Sequence, residues 1–208
     1  GVAFNLFRYI TFRAGGAFFT ALIFGFLFGP PLINVLRRRQ GKGQPIRADG
    51  PEGHFAKAGT PTMGGLLILL AVLSSTLLWA RLDNGFVWIV LFVTFSFGLI
   101  GFADDYAKVS RQTAAGVPGK LRLALGFAIA AIAAYLATSF HPDPLQYQIA
   151  LPVFKNLLVN FSFLFLPFAM LVIVGSANAV NLTDGLDGLA IMPAMIAAGA
   201  LGVIAYAV

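Results

Sequence analysis

The chain contains no cysteine and little charge, with Asp, Glu, Lys and Arg making up 11% of its 208 residues. The missing thiols exclude a disulfide scaffold, a thiolate metal site and a cysteine nucleophile. The scarcity of charge excludes a water-soluble surface, which needs roughly a quarter of the residues charged. Two nucleotide-binding signatures are also missing. Gly119-Lys120 is followed by Leu121 and preceded by Ala114 where a P-loop requires Gly, and no Gly-x-Gly-x-x-Gly follows a strand. What is present is apolar: 59% hydrophobic residues, 21 Phe and 23 Gly, with a mean hydropathy of +0.86. Lipid accepts exposed aromatics, and glycine lets membrane helices approach closely. The composition specifies an all-α integral membrane protein.

A spanning helix needs about 20 apolar residues to cross about 30 Å of hydrocarbon. Six stretches meet or approach this length, near 14–36, 64–80, 86–103, 123–140, 157–180 and 188–208. The expected fold is a polytopic bundle of about six transmembrane helices, forming a single domain over 1–208. Trp79 and Arg81 read as an interfacial anchor closing the short second span, and Pro30, Pro31 and Pro167 predict kinks. The amino-terminal run is too long for a signal peptide and ends in Arg37-Arg38-Arg39 instead of a cleavage site.

Ten of the 14 Lys and Arg residues fall in the segments 37–63, 104–122 and 181–187 or at their edges, against Arg8, Arg13, Arg81 and Lys155 on the other side. The positive-inside rule puts the amino terminus in the periplasm and these three loops in the cytoplasm. Six of the eight carboxylates join them there: Asp49, Glu52, Asp104, Asp105, Asp184 and Asp187. Orientation explains the bases but not the acids. A site for a metal and phosphates needs both signs, whereas the net charge of +6 gives no reason to invoke nucleic acid.

Three cytoplasmic constellations carry chemistry. The first loop holds seven Gly and three Pro within 27 residues (39–65), which forbids long regular structure. Arg47, His54, Lys57, Thr60 and Thr62 supply donors for phosphate oxygens, and Thr60 to Gly65 opens a helix whose amino terminus suits an anion. The alternative for that end is an ordinary Pro-started helix cap. The second constellation is Asp104-Asp105 at the carboxyl end of the third span. The macrodipole there opposes each carboxylate by about 0.3–1 kcal/mol, so the pair is costly unless a cation or Lys108 offsets it. The third is Asn178, Asn181, Asp184 and Asp187, every third residue, with Gly185 and Gly188 permitting a broken segment that aims them together.

These strings resemble the phospho-N-acetylmuramoyl-pentapeptide transferase family of the polyprenyl-phosphate N-acetylhexosamine-1-phosphate transferase superfamily. The resemblance rests on Gln44 to Arg47 with Asp49 to Pro51, His54 to Lys57, Gly59 to Gly65, Phe102 to Lys108 and Asn178 to Ala190, in matching order along the whole chain. It implies transfer of phospho-N-acetylmuramoyl-pentapeptide from UDP to undecaprenyl phosphate at the bacterial inner membrane, giving lipid I and UMP, with Mg²⁺ and commonly as a homodimer. One diphosphate replaces another, so no ATP site is expected. Carried over by position, Asp104 is the acid-base or nucleophile and Asp105 supports the lipid phosphate or metal. Lys57, Thr62, Lys108, Asn181, Leu182, Asp184, Gly185 and Asp187 line the nucleoside and diphosphate site. Arg47, His54 and Asn178 are further binding residues, and Asp104, Asp105 and Asp184 are the metal candidates. Family members have about ten spans of this length. The chain ends in its sixth, so it is expected to be an amino-terminal part lacking a later Asp and a His cluster. Two rival readings are a non-catalytic truncated homologue and a transporter with discontinuous helices. The second would place ionisable residues at span centres, which hold none here.

Overall fold

The computed structural model describes residues 5–41, 61–113, 115–141, 145–150, 157–184 and 189–207. Arg47, His54, Lys57, Gly185 and Asp187 lie outside the described residues. The chain divides into two units, Gly1–Leu125 and Gly126–Val208.

The first unit is built on α1 (Ile10–Gln40), α2 (Gly65–Trp79) and α3 (Gly85–Arg111), with α2 packed along α1 and against α3. At 1.5 Å per residue, α1 is roughly 46 Å long, well beyond the hydrocarbon thickness. Arg37, Arg38 and Arg39 therefore extend the helix instead of opening a loop. The same holds for α3, which carries Asp104 to Arg111 on its last two turns before Gln112 ends it in the left-handed region at φ 48°. Both helices outrun the 37–63 and 104–122 boundaries expected from hydropathy, because helix propensity and end contacts continue where apolarity stops. α1 passes through Pro30 and Pro31 as one continuous helix.

Close approach in this unit depends on glycine. A Cβ on Gly16 would meet the Trp79 ring at 2.6 Å, and one on Gly98 would meet Leu69 Cδ2 at 2.7 Å. The indole of Trp79 donates to Thr20 Oγ1 at 2.9 Å and stacks on Phe7, with Phe12 edge-on. Trp79 is thus committed to α1 and serves as more than an interfacial anchor. In the following turn, Asn84 caps α3 by accepting from Phe86 N, and Arg81 pairs with Asp83 at 2.6 Å. The Arg81 hydrogen bond holds the Asp83 carboxyl below its ordinary range.

The fourth helix, α4 (Gly119–Phe140), begins in the first unit and continues in the second. Its buried positions Ala130, Ala133, Ala134 and Thr138 form one small-residue stripe. The second unit also holds a ribbon of β1 (Gln148–Ala150) and β2 (Leu158–Asn160), antiparallel with Ile149 opposite Val159. Two helices complete it: α5 (Phe165–Thr183) and α6 (Ile191–Ala207). The ribbon corrects the expected start of the fifth span. Asn160 Oδ1 accepts from Ser162 N at 2.8 Å, and Ser162 turns the chain at φ 46° before the helix can begin. Pro167 then sits in the first turn of α5, where its missing N–H costs no helical bond.

Among the described residues, four helices are long and apolar enough to cross a membrane (α1, α3, α4, and α5 with its preceding turn), and α2 and α6 are shorter apolar helices. Large apolar side chains face outward throughout, including Phe26, Leu78, Phe163 and Val203, while the described buried core is mostly Ala. That inversion of a soluble protein marks an all-α polytopic membrane protein.

Candidate active site

Three elements of the first unit meet at one end. The last residue of α1, Gln40, is buried and bonds both main-chain groups of Thr62: its Nε2 donates to Thr62 O at 3.0 Å and its Oε1 accepts from Thr62 N at 2.8 Å. Thr62 precedes Met63, a non-glycine residue at φ 71°, and this turn opens α2. Leu66 and Leu67 donate their N–H groups to Met63 O and Gly64 O, and no side chain caps the helix. The Thr62 hydroxyl donates to Asp105 Oδ2 on α3 at 2.9 Å. The carboxyl end of α1, the amino end of α2 and the carboxyl end of α3 are therefore adjacent, as an alternating up-down path requires.

On α3, Lys108 stands one turn beyond the acidic pair, with Nζ 2.6 Å from Asp104 Oδ2 and 3.9 Å from Asp105 Oδ1. The i, i+4 order with the acid first is the favourable one, because the Lys charge also complements the helix carboxyl end. Lys108 supplies the positive charge that two carboxylates at this end of the macrodipole need. The other oxygen of Asp104, Oδ1, accepts from Val117 N at 2.8 Å. This seat requires Gly116: a Cβ there would strike Asp104 Oδ1, lie 2.7 Å from its Cγ and lie 2.9 Å from Lys108 Cε. Asp104 is thus held on both oxygens with its side chain 11% exposed, while Asp105 is 30% exposed.

Four of the sequence-predicted residues, Thr62, Asp104, Asp105 and Lys108, form one connected cluster. Asn178, Asn181, Leu182 and Asp184 belong to the second unit. Asn178 and Asn181 lie on regular α5, with Asp184 as its carboxyl cap at φ −83°, ψ 46°. Asn178 Nδ2 donates to Val174 O of its own helix at 2.8 Å, which gives this in-helix amide a local partner. Asn181 and Leu182 are exposed. Among the described residues, no three His, Cys, Asp or Glu side chains gather as a metal site.

Gln40, Gly116 and Val117 belong to the cluster but were not singled out from the sequence. Gln40 follows three arginines at the end of the helix, and Gly116 lies in a Gly-Val-Pro-Gly string. Each acquires its meaning from a partner distant along the chain.

Comparisons with known proteins identify the family. The model of glycosyl transferase family 4 matches residues 87–208, which include the acidic pair and all of α5. A phospho-N-acetylmuramoyl-pentapeptide-transferase signature matches residues 57–69, which include Lys57 and Thr62. A phospho-N-acetylmuramoyl-pentapeptide-transferase of Ruegeria pomeroyi is 76% identical over all 208 residues, one from another Ruegeria strain is 74% identical, and one of Dinoroseobacter shibae is 73% identical over 209 aligned positions. The chain spans 58% of the length of each of these relatives. With a family model over more than half of its length and relatives at this identity across all of it, the chain belongs to glycosyl transferase family 4.

Proposed function

We propose that the full-length protein transfers phospho-N-acetylmuramoyl-pentapeptide from its UDP carrier to undecaprenyl phosphate, releasing UMP and forming lipid I. The observation that carries this reading is the cluster of Asp104, Asp105, Lys108 and Thr62 at the joined ends of three apolar helices. In the transfer, an oxygen of the lipid phosphate bonds to the sugar-side phosphorus of the diphosphate. The bond from that phosphorus to the bridging oxygen breaks, and UMP leaves with the electron pair. A diphosphate is lost and a diphosphate is made, so positioning and charge compensation can supply most of the catalysis.

In this reading Asp104 takes the proton of the lipid phosphate, kept in place by Lys108 and the Val117 N–H. Lys108 offsets charge on the exchanging phosphates, and Thr62 orients Asp105. Lys57, Arg47 and His54 contribute further donors to phosphate oxygens. Asn181, Leu182, Asp184, Gly185 and Asp187 receive the nucleoside, whose uracil presents an N–H and carbonyls that amide and carboxylate groups can read. Asn178 supports that helix end.

The donor set fits a hard cation. Asp104 and Asp105 offer carboxylate oxygens within one turn and Thr62 a hydroxyl beside them, the ligand chemistry Mg²⁺ prefers. Asp104 and Asp105 are the residues proposed to hold it; Asp184, expected with them from the sequence, belongs to the second unit and does not form a group of three with them among the described residues. A bound Mg²⁺ supplies charge stabilisation to the diphosphate oxygens. The site then faces the cytoplasm of the inner membrane, as the distribution of Lys and Arg implies, and a homodimer is the proposed assembly.

The test is isotope exchange in the full-length protein. Radiolabelled UMP should enter the UDP-sugar only when both undecaprenyl phosphate and Mg²⁺ are present. Failure to exchange with both supplied would refute phosphoryl transfer. Cysteines placed singly at Lys42 and Asp143 should label from opposite sides of the membrane; equal labelling from outside would refute the orientation.

A further inference from the structure

Gln40 makes a contact that neither its position nor its charge announces. It is 8% exposed and matches the Thr62 main chain with one donor and one acceptor across 22 residues of sequence, as a neighbouring strand would. The next residue, Met63, occupies the left-handed region, which a side-chain-bearing residue keeps only when its surroundings hold it there. Asp104 has partners for both oxygens from Val117 and Lys108, whereas Asp105 accepts from the Thr62 hydroxyl at 2.9 Å and lies 3.9 Å from Lys108. The orientation of Asp105 therefore depends on where the Thr62 backbone stands.

We propose that Gln40 is a positioning residue of the transfer site: its amide fixes the Thr62 main chain so that the Thr62 hydroxyl is delivered to Asp105. The inference rests on the phosphoryl-transfer reading above and extends it to a residue on α1 with no direct part in the chemistry. Gln40 reaches the reaction only through Thr62 and Asp105.

The test compares full-length Gln40→Met, Gln40→Glu and Thr62→Val with the double variant Gln40→Met/Thr62→Val, in membranes, by UMP exchange. Methionine keeps the length and removes both bonds, and glutamate keeps the acceptor for Thr62 N while losing the donor to Thr62 O. Gln40→Met should lower kcat about tenfold and reproduce the split between kcat and KM seen in Thr62→Val, with Gln40→Glu in between. In the Thr62→Val background, Gln40→Met should add less than about twofold. Wild-type kcat in Gln40→Met, or full additivity with Thr62→Val, would overturn the proposal. If Gln40→Met does not fold, Gln40→Glu carries the same comparison with one bond retained. If the wild-type protein shows no exchange at all, the transfer reading fails by itself. The clamp is then read from amide hydrogen exchange at Thr62, which should quicken at least about tenfold in Gln40→Met. Unchanged protection would overturn the clamp.

Discussion

The two ends of the α1–α2 pair are fastened by opposite means. At one end, Phe7, Phe12 and Trp79 interlock over Gly16 with a single indole hydrogen bond to Thr20. At the other, Gln40, Thr62, Asp105, Asp104, Lys108 and Val117 are linked by hydrogen bonds and ion pairs. Aromatic packing is strong, tolerant of small shifts and chemically inert, and it suits an end that only has to hold. A polar network specifies exact positions and is costly if one member is lost, and it suits an end that has to act. The comparison assigns stability to the first end and chemistry to the second.

The largest expected effect comes from Asp104→Asn in the full-length protein. It keeps the shape of the side chain and its bond to Val117 N while removing the proton acceptor, so the transfer rate should fall by at least about 100-fold. The ion pair with Lys108 is lost too, but Asp105 remains beside that Lys, so stability should fall by no more than about 1 kcal/mol. Trp79→Ala should do the reverse. Truncating this indole should cost about 3–5 kcal/mol of stability in a thermal melt, with the rate per folded molecule near wild type. Lys108→Met should disturb both, because it leaves two carboxylates together at the helix carboxyl end. A loss of roughly 2 kcal/mol is expected with a large drop in rate, and added Mg²⁺ should recover part of the stability. The smallest effect separates neighbouring glycines. Gly16→Ala meets the Trp79 ring and should cost about 1–3 kcal/mol, whereas Gly15→Ala meets nothing within 4 Å and should be neutral or stabilising. Equal melting temperatures for these two variants would break the aromatic half of the comparison.

The sequence made the spans visible because apolar length is a property of the chain itself, and the all-α membrane fold follows from it. It also made the acids visible, since Asp104 and Asp105 contradict the macrodipole and must be compensated. The ends of elements were less legible. Helix α3 runs on to Arg111 because Lys108 and the Gln112 cap support it beyond the apolar segment, and hydropathy does not register either. Leu157 to Asn160 looked like the start of a span because Leu and Val serve a strand as well as a helix, and the pairing of Ile149 with Val159 decides between them. Gln40 was the least legible residue of the site. A glutamine after three arginines carries no local signal, and its two bonds exist only once the chain has brought Thr62 back to the end of α1.

The most direct measurement is the UMP exchange rate of full-length Asp104→Asn in membranes, taken beside its melting temperature. The account predicts exchange at least about 100-fold below wild type with a melting temperature within about 2 °C of it. Exchange at the wild-type rate would contradict the assignment of chemistry to this end of the helices.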